Sequence, residues 1–372
     1  MFLKPLRSIK PVGMDAIEQA IMSISFLQLV DLFKASLGGI IVAVAFCPLA
    51  IWIAKRIGLL DIPGSAAHKQ HARPTPLAGG IALVLSMVVV ALVFRLLNKD
   101  IPPLLLAVAI IFLFGLWDDA KGLGAPLKLT GQILASILLI ASDVSVHFLE
   151  GLSIAHLSGS FLIVLDWGVT IFWFIGITNA FNLIDSMDGL AVGIAGIAFA
   201  FFMIMALVAQ QTYLAVFSAG LLGICIGLYV FNVAPAHLFL GDSGAQTLGF
   251  TLAAVAMIYT PHNLPQASSW FVPVFVLGIP IFDTSLVVTS RLLRHKPIFH
   301  ADRSHTYHRL VAYGLDPHRA VLIIHMTTLI LNFLAFIALS LAPLQSTLVF
   351  GAVLLMGVIF LILLVRRNPQ ID

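Results

Sequence analysis

Two asparagines and two aspartates recur at every third position in one short segment, at Asn179, Asn182, Asp185 and Asp188. Only 10% of all residues are charged, and the segment lies between two long apolar runs, where polar side chains are costly. Helical residues three apart are neighbours on one face, so successive members of this set can act on the same ligand. Residues at this spacing are progressively displaced around the helix axis, so all four cannot share one face unless the helix tightens or breaks. Gly189 is a candidate position for such a break. A polar loop between two apolar segments would give the same pattern.

A pair of adjacent carboxylates, Asp118 and Asp119, follows the apolar run at 110–117. Adjacent carboxylates repel each other, which raises one of the two pKa values unless a cation lies beside them. The pair therefore predicts either a metal ion or a basic partner. Lys121 and Lys128 are close enough along the chain to supply the basic partner.

The sequence Gly-Asp-Ser-Gly at 241–244 begins a further apolar run. An Asp or Ser in this position is a candidate N-cap. A helix N-terminus can also bind a phosphate, and the Asp242 carboxylate beside it could hold a Mg²⁺ ion that bridges to that phosphate. Hard oxygen ligands favour Mg²⁺, or Mn²⁺, over zinc. Upstream, Asn232 and Phe239 could hydrogen-bond to and stack on a planar base, although an aromatic residue near a span end is also an interfacial anchor.

Two loops combine histidines with cationic residues. The loop at 290–318 has four histidines in its first part, 290–310, which are His295, His300, His305 and His308, among several arginines and a lysine. The loop at 61–80 adds further cations and ends in Gly-Gly. Part of this charge is explained by membrane topology signals. Topology signals do not explain the histidines. Histidines among cationic residues suit an anionic substrate with phosphate groups or an anionic lipid headgroup.

The elements that carry these residues are predicted to be membrane-spanning helices. The chain is 60% hydrophobic, against about 45–50% in soluble domains. We therefore expect an all-α, polytopic integral membrane protein with about 11 transmembrane helices, each of about 20 residues. The apolar runs lie at 36–54, 79–97, 101–117, 127–145, 164–182, 189–208, 212–232, 244–260, 269–289, 319–341 and 344–365.

Lys and Arg are concentrated in alternate loops of this arrangement, which are cytoplasmic if the positive-inside rule holds. The acidic clusters and the histidine-rich loop then lie on the cytoplasmic face. We predict an N-terminal tail with an interfacial helix at 1–35, one catalytic transmembrane domain at 36–365 and a cytoplasmic tail at 366–372. The small net charge of +3 does not favour nucleic acid as a partner. An association as a homodimer is left open.

These features together predict a membrane site with oxygen ligands for a hard cation and basic groups for phosphates. Transfer of a phosphoryl group from a soluble nucleotide compound to a lipid fits this pattern, with catalysis by positioning and charge neutralisation. A transporter or lipid flippase would also place ionisable groups beside spans, but it predicts them at mid-membrane. A non-catalytic lipid-binding scaffold is a third class.

The ordered motifs resemble those of the polyprenyl-phosphate N-acetylhexosamine-1-phosphate transferases, glycosyltransferase family 4, of the WecA and TagO type, which are related to MraY. The resemblance runs from about 55 to 315. It rests on D-x-P-x₄-H-K-x₃-R-P-T-P-x₂-G-G at 61–80, G-x-x-D-D at 115–119, K-L-x-G-Q at 128–132, N-A-F-N-L-I-D-x-x-D-G-L at 179–190, F-N-x-x-P-A-x-x-F-L-G-D-S-G at 231–244 and D-R-S-H-x-x-H-R-L at 302–310.

The resemblance implies a bacterial inner-membrane enzyme with its active site facing the cytoplasm. Its substrates would be a UDP-N-acetylhexosamine and undecaprenyl phosphate, and its products undecaprenyl-diphosphate-sugar and UMP, with Mg²⁺ as cofactor. By motif, one of Asp118 and Asp119 would be a base or a nucleophile. Residues carried over to the remaining roles are Asp242 and Asn182 for the metal, Asp185, Asp188, Asn232 and Phe239 for the uridine side, and Lys128, Arg303, His305 and His308 for the phosphates or sugar.

The last motif also bears on the donor sugar. Its Asp-Arg-Ser-His form is similar to the branch whose donor is usually UDP-GlcNAc. That branch usually has His-x-His-His, whereas Tyr307 stands at the third position here. A donor carrying another N-acetylated 6-deoxy sugar, or UDP-MurNAc-pentapeptide, is therefore kept as an alternative to UDP-GlcNAc.

Overall fold

The computed structural model describes residues 18–63, 73–146, 159–261, 271–295 and 305–366. Thirteen helices and two short strands are named below. The elements are α1 Phe26–Ile57, β1 Leu60–Asp61, β2 Thr75–Pro76, α2 Gly79–Val93, α3 Ile101–Lys121, α4 Ala125–Ala141, α5 Gly159–Ile184, α6 Leu190–Val208, α7 Thr212–Asn232, α8 Gly241–Ile258, α9 Val272–Val276, α10 Gly278–Leu293, α11 Thr306–Ala312, α12 Pro317–Leu339 and α13 Pro343–Arg366.

The chain is an all-α, multi-pass membrane protein, which confirms the predicted class. Among the described residues, seven helices are long and apolar enough to cross a membrane: α1, α3, α5, α6, α7, α12 and α13. Two shorter apolar helices, α2 and α4, also coincide with predicted spans. The predicted total of eleven spans is not confirmed by this count, although every predicted apolar run falls on a helix.

Helix α8 lies at the centre of the bundle and is packed by α2, α3, α5 and α6. Its residues from Ser243 to Ala256 are all buried. Helix α1 packs along α7, and α7 packs along α6. In contrast, the apolar side chains of α13 are mostly exposed, as expected for a helix that faces lipid. The start of α8, with Asp242, is therefore fixed from several sides.

Close backbone approach at the start of α8 explains the glycines in two of the motifs. A Cβ at Gly115 of α3 would lie 2.5 Å from Cα of Ser243, and a Cβ at Gly79 of α2 would lie 2.8 Å from Cα of Leu240. Cβ atoms are not found at such distances from a neighbouring backbone. Glycine at these positions lets α2 and α3 touch the start of α8.

The predicted span at 269–289 is divided in the structure into α9 and α10, with Leu277 between them. Pro280 has no N–H, so it cannot bond to the carbonyl of Val276 one turn earlier. Asn332 of α12 donates its side-chain amide to that carbonyl instead, at 3.3 Å. The break therefore exposes a backbone acceptor that a neighbouring helix satisfies.

The first long helix begins earlier than the sequence predicts. Helix α1 starts at Phe26 rather than 36, and Ser25 caps it through a capping box with Gln28. Residues 26–35, which we assigned to the N-terminal tail and interfacial helix, thus belong to this helix. Residues 1–17 lie outside the described residues, and the division into three segments stays a prediction.

Candidate active site

Side chains from four helices meet at the start of α8. The cluster contains Asp242 of α8, Asp118 of α3, Asn182 of α5 and Lys128 of α4. The Lys128 Nζ pairs with Oδ2 of Asp118 and lies 3.4 Å from Oδ2 of Asp242. The Asn182 amide donates to Oδ1 of Asp242. Four separate sequence motifs therefore form one cluster.

Lys128 is the basic partner that the adjacent carboxylates predict. It neutralises Asp118 and Asp242 together, and its side chain is one quarter exposed. The second oxygen of Asp118, Oδ1, accepts the backbone N–H of Leu123 at 2.5 Å. This bond ties the turn after α3 to the cluster and fixes the orientation of the carboxylate.

Asp119 has a different position from Asp118. Its Oδ1 accepts the N–H of Asp242 at 2.7 Å, and its Oδ2 accepts the N–H of Ser243 at 3.0 Å. The carboxylate thus satisfies the first free N–H groups of α8 and complements the helix dipole. These N–H groups are therefore not free to bind a phosphate here, which corrects that expectation for the Gly-Asp-Ser-Gly segment. Gly241 is needed beside the carboxylate because its φ is +68° and a Cβ would lie 2.7 Å from Asp119 Oδ2.

Three amide side chains form a second layer one turn deeper on α4, α5 and α8. Asn179 donates to Oε1 of Gln132 at 2.7 Å, and Gln132 donates to Oε1 of Gln246 at 3.1 Å. Gln132 and Gln246 are fully buried. Each amide follows or precedes a residue of the cluster by three or four positions on the same helix. The layer fixes the rotation of the three helices that present Lys128, Asn182 and Asp242.

The turn between α5 and α6 carries Asp185 and Asp188. Burial, together with three nearby carboxylates, raises the pKa of Asp185 to about 8. Those carboxylates are Asp242, Asp188 and Asp119. Oδ2 of Asp188 accepts the N–H of Ala236 at 3.2 Å. A cavity of about 350 Å³, which Asp188 helps to line, opens between the end of α7 and the start of α12.

Asn232 and Phe239 lie on the connection between α7 and α8. Asn232 is buried, and both ends of its amide are used: Oδ1 accepts Gly189 N–H and Nδ2 donates to Leu238 carbonyl, each at 3.1 Å. Phe239 is partly buried, and its carbonyl accepts the N–H of Gly79 at 2.9 Å. The hydrogen bonds of Asn232 therefore hold the Asp185–Asp188 turn against this connection.

The histidine motif is placed next to this region by α11. His305 precedes α11 and is buried, and the ring of His308 lies 6.4 Å from that of His305. Burial, with the negative charge of Asp188 as the next cause, raises the pKa of Tyr307. Tyr307 is thus close enough to Asp188 for the two side chains to interact electrostatically. Arg303, which we predicted to contact substrate, lies outside the described residues.

The cluster has a donor set that suits Mg²⁺. Asp118 and Asp242 offer two carboxylates close together, whereas Asn182 presents its N–H to Asp242, so its oxygen would face an ion there only with the amide turned over. Within the described ranges, no group of three or more His, Cys, Asp or Glu is arranged to hold a metal. Mg²⁺ usually takes only one or two carboxylates and completes its shell with water and substrate phosphates. Asp242 with Asn182, or with Asp118, could hold the ion in that way.

Sequence reasoning missed part of this site. Asn179 had no role, and Gln132 and Gln246 were not selected. A signal was present, since Gln132 and Gln246 stand four residues after Lys128 and Asp242. The pairing of Asp119 with the backbone of α8 had no such signal, because it depends on the packing of two helices.

The family model of glycosyl transferase family 4 matches residues 101–260, which include the whole cluster. Curated relatives reach 31% identity over most of both chains. The chain therefore belongs to glycosyl transferase family 4, and the resemblance seen in the motifs is confirmed.

Three relatives illustrate this relationship. A probable undecaprenyl-phosphate N-acetylglucosaminyl 1-phosphate transferase of Bacillus subtilis is 28% identical, with 83% of this chain and 86% of that protein aligned. A decaprenyl-phosphate N-acetylglucosaminephosphotransferase of Mycobacterium tuberculosis is 31% identical over 86% of this chain and 87% of its own. A phospho-N-acetylmuramoyl-pentapeptide-transferase of Levilactobacillus brevis is 31% identical over 71% and 85%.

Proposed function

We propose that this chain transfers N-acetylhexosamine-1-phosphate, with GlcNAc-1-phosphate as the first choice, from a UDP-sugar to undecaprenyl phosphate. The products are undecaprenyl-diphosphate-sugar and UMP, and the reaction is the first lipid-linked step of a cell-envelope polysaccharide. The names of the relatives support the reaction class, since two are named as N-acetylglucosamine phosphate transferases and one as a phospho-N-acetylmuramoyl-pentapeptide-transferase. The enzyme works in the bacterial cytoplasmic membrane with its site towards the cytoplasm.

One observation carries this proposal: Asp118, Lys128, Asn182 and Asp242 converge from four helices at the start of α8. Carboxylates, an amide and an ammonium group at the end of a buried helix are suited to a phosphoryl group in transfer. Such a reaction depends on positioning and on charge neutralisation, with little covalent work for the protein. A polar loop that merely joins two spans would not need this convergence.

In the proposed reaction an oxygen of the lipid phosphate attacks the β-phosphorus of the UDP-sugar. The bond between that phosphorus and the bridging oxygen breaks, and UMP leaves with the bridging oxygen. We assign to Asp118 the contact with the lipid phosphate, and the removal of its proton if it carries one, because its Oδ2 is held by a side chain, that of Lys128, and not by backbone. Asp119 instead uses both of its oxygens to hold the start of α8.

We further propose that Mg²⁺ is the cofactor and that Asp242 and Asn182 hold it, with Asp118 near by. Bound there, the ion would neutralise the negative charge of the pyrophosphate. Lys128 already lies between the two carboxylates and keeps them together. Its ammonium group is then within reach of the same phosphates and stabilises the charge on their oxygens.

The nucleotide is assigned to the side of Asp185 and Asp188, where the cavity of about 350 Å³ offers room for part of a donor. We assign the histidine motif to the same side, because Tyr307, which stands between His305 and His308 in the sequence, is near Asp188. The donor sugar is less constrained, because Tyr307 replaces a histidine of the motif and lies near Asp188. UDP-GlcNAc, UDP-N-acetylated 6-deoxy sugars and UDP-MurNAc-pentapeptide are therefore compared directly in the test.

The experiment is a donor panel scored by release of UMP from purified protein with Mg²⁺ and polyprenyl phosphate. We expect UMP from at least one UDP-N-acetylhexosamine, with UDP-GlcNAc giving the highest rate. Folded protein that releases no UMP with any of these donors contradicts the proposal. Movement of polyprenyl lipid across a liposome bilayer without release of UMP would instead identify a flippase.

A further inference from the structure

A buried carboxylate that the proposed reaction does not use lies on α10. Asp283 is 1% exposed, in a helix whose sequence is otherwise mainly apolar. Its Oδ2 lies 2.8 Å from Nδ1 of His305, and its Oδ1 accepts the N–H of Thr306 at 2.6 Å. Both oxygens thus bind two consecutive residues of the histidine motif. An ionised carboxylate buried without such partners would be very costly.

This pairing determines which ring nitrogen of His305 carries a proton. An ionised carboxylate only accepts hydrogen bonds, so Nδ1 of His305 must be the donor. Nε2 is then the ring nitrogen that this pair leaves unused. Carboxylate partners on the far nitrogen orient a histidine ring in this way in many active sites. The bond from Thr306 N–H fixes the backbone next to the ring, so that both the position and the rotation of His305 are set.

The helix that carries Asp283 is itself well anchored. Helix α10 packs against α5, which carries Asn182 near its end. On α11, Arg309 is fully buried, and its guanidinium donates to Oγ of Ser290 on α10 at 2.7 Å and to the carbonyl of Leu364 on α13. Asp283 therefore holds the histidine motif from a helix that is fixed relative to the acidic cluster.

We propose that Asp283 is a positioning residue, which holds His305 through Nδ1 so that Nε2 meets an anionic oxygen of the donor pyrophosphate. This inference rests on the proposed function, because it needs a phosphate-bearing donor. Asp283 does not itself touch the substrate. Its effect passes through His305 alone, which makes the inference testable by a double-mutant cycle.

The experiment measures kcat and KM for the UDP-sugar, and KM for polyprenyl phosphate, in four proteins. These are the wild type, Asp283→Asn, His305→Gln and the double variant. Asp283→Asn is expected to lower kcat/KM for the donor by about 10- to 100-fold, the range for a lost hydrogen bond to a charged group. The KM for polyprenyl phosphate is expected to stay within about twofold, since His305 is assigned to the donor side. In the double variant, the second substitution is expected to add less than about threefold, because both changes remove one interaction.

Asp31→Asn is the matched control. Asp31 is an exposed aspartate near the start of α1, a helix that packs along α7 and α2. Its kinetics are expected to equal those of the wild type. If Asp283→Asn alone does not fold, the double variant replaces it, because its two neutral amides can hydrogen-bond to each other, and it must match His305→Gln within about threefold.

Two results would overturn the inference. One is a folded Asp283→Asn protein with wild-type kinetics for the donor. The other is a double variant in which the losses multiply, since the two residues would then act separately. Failure of the proposed function looks different, because the wild type itself would then release no UMP.

Discussion

Gly115 is the position where one added methyl group should separate the two acidic segments. In Gly115→Ala the new Cβ would lie 2.5 Å from Cα and 2.8 Å from N of Ser243, and 3.0 Å from the carbonyl oxygen of Asp242. Carbon atoms pack at about 3.5–4.0 Å, so α3 and the start of α8 must move apart by about 1 Å. All three contacts are to backbone, so no side chain can rotate away.

The energetic effect follows from two opposing terms. Overpacking costs roughly 1–3 kcal/mol, whereas alanine in a helix gains about 1 kcal/mol over glycine. The net loss of stability is thus small, about 0–2 kcal/mol. Activity should suffer more, because a displacement of about 1 Å between Asp118 and Asp242 can lower kcat by about 100-fold.

The assay is release of UMP together with the thermal midpoint of the solubilised protein. Gly168→Ala on α5 is the matched control, since a Cβ there would meet nothing within 4 Å. This control should keep wild-type activity and unfold at the same or a higher temperature. The reasoning is refuted if Gly115→Ala also retains wild-type kcat, because the contact between α3 and α8 would then not position the site.

Three further predictions concern the amides, a titrating carboxyl group and the metal. Gln246→Leu removes the nearer of the two acceptors of Gln132 Nε2, so the free energy of unfolding should fall by roughly 1–3 kcal/mol and kcat should fall with it; an unchanged thermal midpoint would contradict this. The pKa of Asp185 is raised to about 8, so the folded protein keeps a proton that the unfolded chain loses near pH 4, and stability should fall as pH rises from about 4 to about 8. Asp185→Asn should weaken that pH dependence of the thermal midpoint. EDTA should abolish UMP release and added Mg²⁺ should restore it, whereas activity in EDTA would exclude the proposed cofactor.

The apolar runs of the sequence predict the helices well, because every crossing helix must hide its backbone from lipid. The division into α9 and α10 was not predicted. It depends on Pro280 and on the amide of Asn332, which lies far away in the sequence. Likewise, the start of α1 at Phe26 depends on a capping box formed by Ser25 and Gln28, within a stretch too polar to be included in the first span.

The sequence predicted which residues form the candidate site better than it predicted the contacts between them. Motif spacing selected Asp118, Asp242 and Asn182, and the structure brings them together. Motif spacing did not show that Asp119 would hold the backbone of α8, because adjacent residues on a helix point in different directions. Nor did motif spacing select Asp283, a single aspartate in an apolar run whose partner, His305, stands 22 positions later in the sequence.

The most direct test of the central claim compares the wild type with Asp242→Asn in the UMP-release assay, using Mg²⁺, polyprenyl phosphate and UDP-GlcNAc. Asp242 accepts from Asn182 and pairs with Lys128, so the neutral amide removes the charge on which the cluster depends. We predict that the wild type releases UMP and that the folded variant loses at least about 100-fold in kcat, as when a key electrostatic group is removed. Equal rates of UMP release from the two proteins would contradict the account.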